Sequence, residues 1–428
     1  GRAATGRREV SSMSHDRTSV ALAPLADDRA AVYVHFPWCL HRCAYCDFAT
    51  TARHDPPGDA YRALILRELA LRTTAWRPSE IGSVFFGGGT PSLWGPANIA
   101  AVLNALTAWS PLSHDCEITL EANPGALESG DLTSYTAAGI NRVSIGVQAA
   151  DDTRLRALDR LHDAAAARTT LREIAALLAS GALHSASADL LFGAPGQGFP
   201  ELEHDLAEVM AYGLPHLSAY ALTVEDGTPL AKMVARGLAP PPDDDLQSDM
   251  LEALPALLAP WGLDRYEVSN FAKPGHESRH NLVYWRGGPY LALGVGAHGF
   301  VPDSAGAGIG LRYDNVRSSA LWMARLADDV LAEAHRETIG AAIHRDELML
   351  TGLRLREGID LAAWRPRLGA EICDALRVRA QLLCDAGAPL RLNGTRLSVT
   401  QAGTVQLDRW LLALLDDAGS TVSEAARP

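Results

Sequence analysis

The chain has 428 residues, a net charge of −13, 47% hydrophobic and 21% charged residues, a balance that fits a globular protein with room for two domains. The acidic excess excludes a broad nucleic-acid-binding face, which needs a basic surface. No stretch of about 18 uninterrupted apolar residues occurs, so no membrane span is expected, and 6 cysteines in this length with no secretory signal argue against a disulfide framework.

Residues 1–29, rich in Arg, Ser and Ala, read as a disordered extension, with Met13 a candidate natural start. From 31 to 225, short β-rich runs alternate with helical stretches. The predicted strands are Ala31–Phe36, Ile81–Phe86, Glu117–Glu121, Arg142–Val147, Ala186–Phe192 and Leu217–Leu222. The predicted helices between them are Ala60–Trp76, Asn98–Trp109, Asp131–Ala138, Ala164–Ala179 and Pro200–Tyr212. This alternation predicts a parallel sheet with helices outside. Six such units predict an α/β fold, a partial (β/α)6 barrel with its active groups at the C-terminal ends of the strands.

Residues 226–335 read as mixed, with a helix over Asp243–Leu258 and a strand over Arg265–Phe271. Beyond them come helices over Arg345–Leu355 and Glu371–Asp385, a hairpin over Leu390–Val399 turning at Asn393-Gly394, and a helix over Gln401–Leu414. That order predicts a smaller α+β, winged-helix-like domain. Residues 341–410 hold 10 Arg against 8 Asp and Glu, too even a balance for a DNA-reading face, so packing or docking is the expected role. The resulting division is a barrel core over 30–270, a linking region over 271–340, the small domain over 341–415 and a disordered tail over 416–428.

Chemistry concentrates at the predicted strand ends. Directly after the first strand, Cys39, Cys43 and Cys46 stand in C-x3-C-x2-C spacing. Three soft thiolates on one tight loop suit an iron–sulfur cluster, with one iron left open to a small molecule. Alternatives are a zinc site completed by His35 or His41 and buried structural thiols. The second strand ends in Gly87–Ser92 (GGGTPS), where absent side chains let backbone approach a ligand. Glu121 and Gln148 end the third and fourth strands. A carboxylate there favours a ligand contact over a core role, and an amide can both donate and accept. Arg160 offers a guanidinium fork suited to a carboxylate, or is a helix surface charge. Asp189 opens a strand end running into a Gly/Pro turn and needs a partner if buried.

The cysteine loop is the signature of the radical S-adenosylmethionine (SAM) enzymes. Together with GGGTPS, Glu121–Gly125 (EANPG), Gly139–Gln148 and Asp189–Gln197 (DLLFGAPGQ), it makes residues 31–412 resemble the oxygen-independent coproporphyrinogen III oxidases and their relatives. The resemblance implies that Cys39, Cys43 and Cys46 hold a [4Fe-4S] cluster. It implies that Tyr33, Gly88, Gly89, Thr90, Glu121, Gln148, Arg160 and Asp189 contact SAM, with Ala221 and His298 as two further contacts. In that family one electron cleaves SAM to a 5′-deoxyadenosyl radical.

The dehydrogenases of the family carry a fourth cysteine where this chain has Phe48. The heme-chaperone branch ends its loop in C-D-F and carries H-N-x-x-Y-W, here His280, Asn281, Tyr284 and Trp285. That branch implies a chaperone that binds the cluster, SAM and heme and hands heme to acceptor hemoproteins, including respiratory-chain proteins. His280 is the implied heme contact, since imidazole is a common axial ligand; a buried structural histidine is the alternative. Asp159 stands where relatives often have Gly. A cytoplasmic location at or near the inner membrane face and homodimerisation are further expectations. Coproporphyrinogen III dehydrogenase and another radical SAM reaction are the enzymatic alternatives.

Overall fold

Twelve strands form one sheet in a computed structural model that describes residues 29–74, 76–125, 128 and 130–415. The first six are β1 (Arg29–Phe36), β2 (Glu80–Gly88), β3 (Leu112–Ala122), β4 (Arg142–Gln148), β5 (Ser185–Phe192) and β6 (His216–Ala221), each parallel to the next. Helices cover their outer face, so these strands are buried on both sides and read as continuous apolar runs, as in Ala30–Phe36. Of the covering helices, α1 (Gly58–Arg72), α2 (Pro96–Trp109), α3 (Leu132–Ala137), α5 (Ala164–Ala179) and α6 (Phe199–Met210) follow the sequence pattern, and the short α4 (Asp152–Ala157) is an addition to it. Asp131, Asp151 and Asp163 cap α3, α4 and α5 by accepting the free amides of the first turn. The first helix ends at Arg72, earlier than Trp76.

After α7 (Pro229–Ala235) and α8 (Asp244–Leu258), the single strand expected over Arg265–Phe271 is instead a tight reversal. It consists of antiparallel β7 (Asp264–Glu267) and β8 (Asn270–Ala272). The buried Glu267 carboxylate accepts from the Ser269 amide at 2.9 Å and the Asn270 side chain at 2.5 Å, and so fixes the turn. The short helix α9 (Arg279–Trp285), capped by Ser278, contains the His280–Trp285 motif.

Four more strands follow: β9 (Tyr290–Leu293), β10 (His298–Pro302), β11 (Gly310–Asn315) and, after α10 (Ser319–Ala327), β12 (Glu333–Ile339). β9 lies parallel to the free side of β1, and β10 to β12 continue as an antiparallel meander. The strand order is β12-β11-β10-β9-β1-β2-β3-β4-β5-β6-β8-β7, an open sheet wound as a partial barrel.

A second hydrophobic core lies in the C-terminal part, around Leu348, Met349, Trp364, Leu376, Leu397 and Trp410. It is built from α11 (Ala341–Gly352), β13 (Ile359–Asp360), α12 (Leu361–Leu368), α13 (Ala370–Asp385), the hairpin β14 (Leu390–Asn393) and β15 (Arg396–Val399), and α14 (Leu407–Leu415). The last predicted helix is divided: Gln401–Gln406 is a 3-10 turn. Gly403 there packs so tightly that a Cβ would sit 2.9 Å from the Pro389 carbonyl. The helix α12 went unread although Asp360 caps it.

This part docks on α9 through Trp285, whose ring lies under the Arg354 guanidinium at 4.7 Å. Among the described residues no helix is long and apolar enough to cross a membrane. The expected extension, apart from Arg29, and the tail over 416–428 lie outside the described residues.

Candidate functional site

The cysteine loop leaves β1 through Pro37 and is pinned at both ends. Thr51 donates its amide to the Pro37 carbonyl and Arg53 to the Cys39 carbonyl, each at 2.8 Å. Within the loop the Cys46 amide bonds the Cys43 carbonyl, and Leu230 of α7 reaches the Ala44 carbonyl at 2.9 Å. All three cysteines are free thiols and line one cavity of about 430 Å³. Burial pushes the Cys39 thiol up to about 11, against the pull of the Thr90 hydroxyl. Burial also raises Cys43, opposed by the Arg160 guanidinium, which donates to its sulfur at 3.4 Å. A thiolate-binding group would have to supply the rest of the stabilisation. Both candidate zinc-completing histidines are engaged elsewhere: His35 bonds Tyr33 and the Ala49 carbonyl, and His41 bonds Asp159.

The same cavity is also lined by Gly88, Gly89, Glu121, Gln148, Arg160, Asp189 and Ala221. The glycines are sterically required. A Cβ on Gly89 would lie 2.4 Å from the Trp38 carbonyl oxygen, and one on Gly88 would lie 2.6 Å from the His35 ring. Thr90 is buried behind this wall and accepts from Asn123 at 3.1 Å. Gln148 adopts φ +67°, a conformation costly for a non-glycine residue and characteristic of strained functional positions.

Arg160 is not a helix surface charge: its guanidinium bonds Asn123 at 2.6 Å and the Gly146 carbonyl at 2.8 Å, and its Nε is buried with no partner among the described residues. Asp189 lies within β5 rather than at its end and accepts from Ser144 at 3.2 Å. Glu121 accepts from the Gly88 amide at 3.0 Å. Burial, reinforced by the nearby Asp189 carboxylate, pushes its acid up to about 8, and a cation bound beside it would restore its charge.

Two further cavities adjoin this one, and Glu121 lines all three. One, of about 450 Å³, is lined by Tyr33, Phe48, Tyr284, Tyr290, His298 and Arg317, among others. The other, of about 190 Å³ inside the barrel, holds Tyr33, Arg142, Asp189 and His280. His298 thus shares Gly88 and Glu121 with the cysteine cavity but faces the neighbouring one.

His280 is buried, stacked on Phe85 at 5.0 Å, with Nδ1 3.0 Å from the Ser83 hydroxyl and Nε2 2.7 Å from the Tyr284 hydroxyl. Burial drives its imidazole down to about 3, so it is neutral. Both ring nitrogens have hydroxyl partners in this structure. Iron could reach it only by displacing one of these hydroxyls.

Sequence reasoning passed over Asn123, which bridges Arg160 and Thr90, and Arg142, buried in the barrel interior. Asn123 could have been found, because it stands in the same EANPG segment as Glu121. The Asp159 departure has a visible consequence. At φ +57° it holds the place of a glycine and pairs with His41 of the cysteine loop at 2.8 Å.

A Radical SAM superfamily profile matches residues 33–209, and a HemN C-terminal domain profile matches residues 344–405. With three thiols at the end of β1 facing a glycine-lined strand-end cavity, fold and site define a radical SAM protein. A heme chaperone HemW of Mycobacterium tuberculosis is 37% identical over 398 residues, covering 92% of this chain and 97% of its own. The Escherichia coli K12 heme chaperone HemW is 41% identical over 290 residues, 66% of this chain and 72% of its own. The chain belongs to the heme chaperone HemW family. The solved coproporphyrinogen III oxidase HemN of Escherichia coli superposes with a TM-score of 0.76 over 92% of both chains at 18% identity, a shared fold.

Proposed function

We propose that this chain binds a [4Fe-4S] cluster, SAM and heme and transfers the heme to acceptor hemoproteins, respiratory-chain proteins among them. The observation that carries the proposal is the single cavity lined together by Cys39, Cys43, Cys46, Gly88, Gly89, Glu121, Gln148, Arg160 and Asp189. Membership in the HemW family supplies the heme part of the reading.

The residues present suit the two cofactors. Three thiols on one loop match a cluster with one open iron. The unpartnered Arg160 Nε is a donor for a carboxylate, and the raised Glu121 acid is an acceptor waiting for an ammonium. Gly88, Gly89 and Thr90 would hold the amino-acid end of SAM, and Gln148 and Asp189 its ribose. Tyr33 and Ala221 would complete the contacts. When bound, the pair supplies one-electron reductive chemistry.

Phe48 sits at the position of the dehydrogenases' fourth cysteine, 59% exposed at the rim shared by the two larger cavities. It offers a porphyrin face an aromatic contact and no thiolate. The reading therefore excludes coproporphyrinogen III turnover. Incubating reconstituted protein with coproporphyrinogen III, SAM and a reductant should yield no protoporphyrinogen IX above the no-enzyme control. Sustained, SAM-dependent formation of that product would replace the chaperone reading with the dehydrogenase one.

A further inference from the structure

We propose that a cavity of about 480 Å³ at the seam between the barrel and the C-terminal part binds a phosphate-bearing small molecule, held by the guanidinium groups of Arg265, Arg354, Arg356 and Arg391. This cavity shares no lining residue with the cysteine cavity, and the proposal is independent of the heme reading.

The cavity forms where the two hydrophobic cores meet. Leu263, just before β7, belongs to the barrel core, and Leu353 and Leu407 belong to the second one. The chain after α11 runs along β7: Leu355 bridges to Glu267, and the Arg356 amide donates to the Tyr266 carbonyl at 2.9 Å. That pairing brings Arg354 and Arg356 into the same cavity as Arg265. The hairpin adds Arg391 from β14 and Ser398 from β15.

The charges here do not balance. Four arginines face two acids, Asp264 and Glu267, an excess of two positive charges in a chain of net charge −13. Glu267 is fully buried, and its carboxylate is already shared among Arg354, the Asn270 side chain and the Ser269 amide. Asp264 stands 3.7 Å from Arg356. Arg265 and Arg391 form no ion pair with a carboxylate among the described residues. Arg265 donates to the Leu251 carbonyl, and its Nε is buried with no partner among the described residues. Burial pulls its pKa down to about 10, with Glu267 opposing, so a further negative charge beside it would be stabilising. A phosphate monoester carries about −1.5 to −2 charge at neutral pH and three strong acceptor oxygens, which matches the excess of two and the guanidinium forks. The Ser398 and Thr400 hydroxyls add donors, and Leu263, Val268 and Leu407 give the organic part an apolar wall. Among the described residues no His, Cys, Met or Tyr lines the cavity, so heme iron has no ligand there.

The test is isothermal titration calorimetry of the full chain in chloride buffer at physiological ionic strength, with phenyl phosphate as the probe and succinate as a dicarboxylate of like charge. Wild type should bind one phenyl phosphate per chain, more tightly than succinate, and should melt at a higher temperature when saturated with it. Arg391 is exposed and has no partner to lose among the described residues, so Arg391→Gln should keep the ligand-free melting temperature. It should weaken phenyl phosphate about tenfold, the loss of one charge-assisted hydrogen bond. Arg265→Gln should weaken it at least as much. Arg396→Gln removes the same charge from the same hairpin outside the cavity and should bind as wild type does. Failure of wild type to bind phenyl phosphate at millimolar concentration, or unchanged affinity in Arg391→Gln, overturns the proposal. An equal loss in Arg396→Gln reduces the effect to general surface charge and overturns it too. Succinate bound as tightly as phenyl phosphate overturns the assignment to a phosphate.

Discussion

Cys43→Ala, reconstituted anaerobically with iron and sulfide, should retain neither. Cys43 stands between Cys39 and Cys46 on the pinned loop and has its sulfur 3.4 Å from Arg160. Two thiolates cannot hold a cubane that is anchored by three, and the nearby histidines have other partners. The fold should survive, because Arg160 keeps its bonds to Asn123 and Gly146 and the loop keeps its backbone pins. The contrast to look for is therefore an unchanged apo-protein melting temperature beside a lost brown chromophore. Full iron and sulfide in the variant would remove Cys43 from the cluster and with it the reading of the loop.

The second large effect is on stability and lies far from the thiols. Glu68 of α1 is completely buried, and its carboxylate accepts from Arg72 at 2.8 Å, Asn315 at 2.7 Å and the Gly294 amide at 2.8 Å. Arg72 in turn reaches Glu333 at 2.8 Å and lies over the Tyr313 ring at 3.7 Å. This network fastens the first helix to β11 and β12 and to the turn after β9, so it holds the meander against the barrel. Glu68→Ala leaves a buried guanidinium, an amide and a backbone donor short of a partner, a class of change that costs about 3–5 kcal/mol. A fall in melting temperature on the order of 10 °C is expected, with a smaller fall for Glu68→Gln, which keeps an acceptor. Equal melting of wild type and Glu68→Ala would show that the network contributes nothing to holding the meander.

The first six strands and five of the helices covering them were legible because parallel strands buried on both faces leave unbroken apolar runs, and because aspartates mark helix starts such as those of α3 and α5. The meander was not. Glu333–Ile339 is exposed over most of its length and carries charged residues, while Gly294, Gly296, Gly299 and Gly310 break any period. Its strands are held by pairing to β1 through β9, a contact between residues some 260 positions apart (Ala31 with Tyr290) that no local pattern encodes.

At the site the strand-end motifs announced themselves, since cysteines, a glycine run and isolated polar residues in apolar strands have few structural uses. What the sequence could not state was which hydrogen bonds each side chain had already made. His280 looked like a ligand by its motif and is satisfied on both nitrogens. His298 had no distinctive surroundings in the sequence and lines the neighbouring cavity. Arg160 could be read as a ligand-binding fork or as a helix charge, and it reaches Cys43 just after the left-handed residue Asp159.

The central claim is heme transfer, and the most direct measurement loads the cluster-reconstituted chain with heme and mixes it with an excess of an apo-hemoprotein. Separation of the two proteins and the absorbance of each then report where the heme has gone. The account predicts that heme leaves this chain and appears in the acceptor in its native spectrum, faster than from free heme–albumin at equal concentration. Heme that stays on this chain, or reaches the acceptor no faster than from albumin, would contradict it.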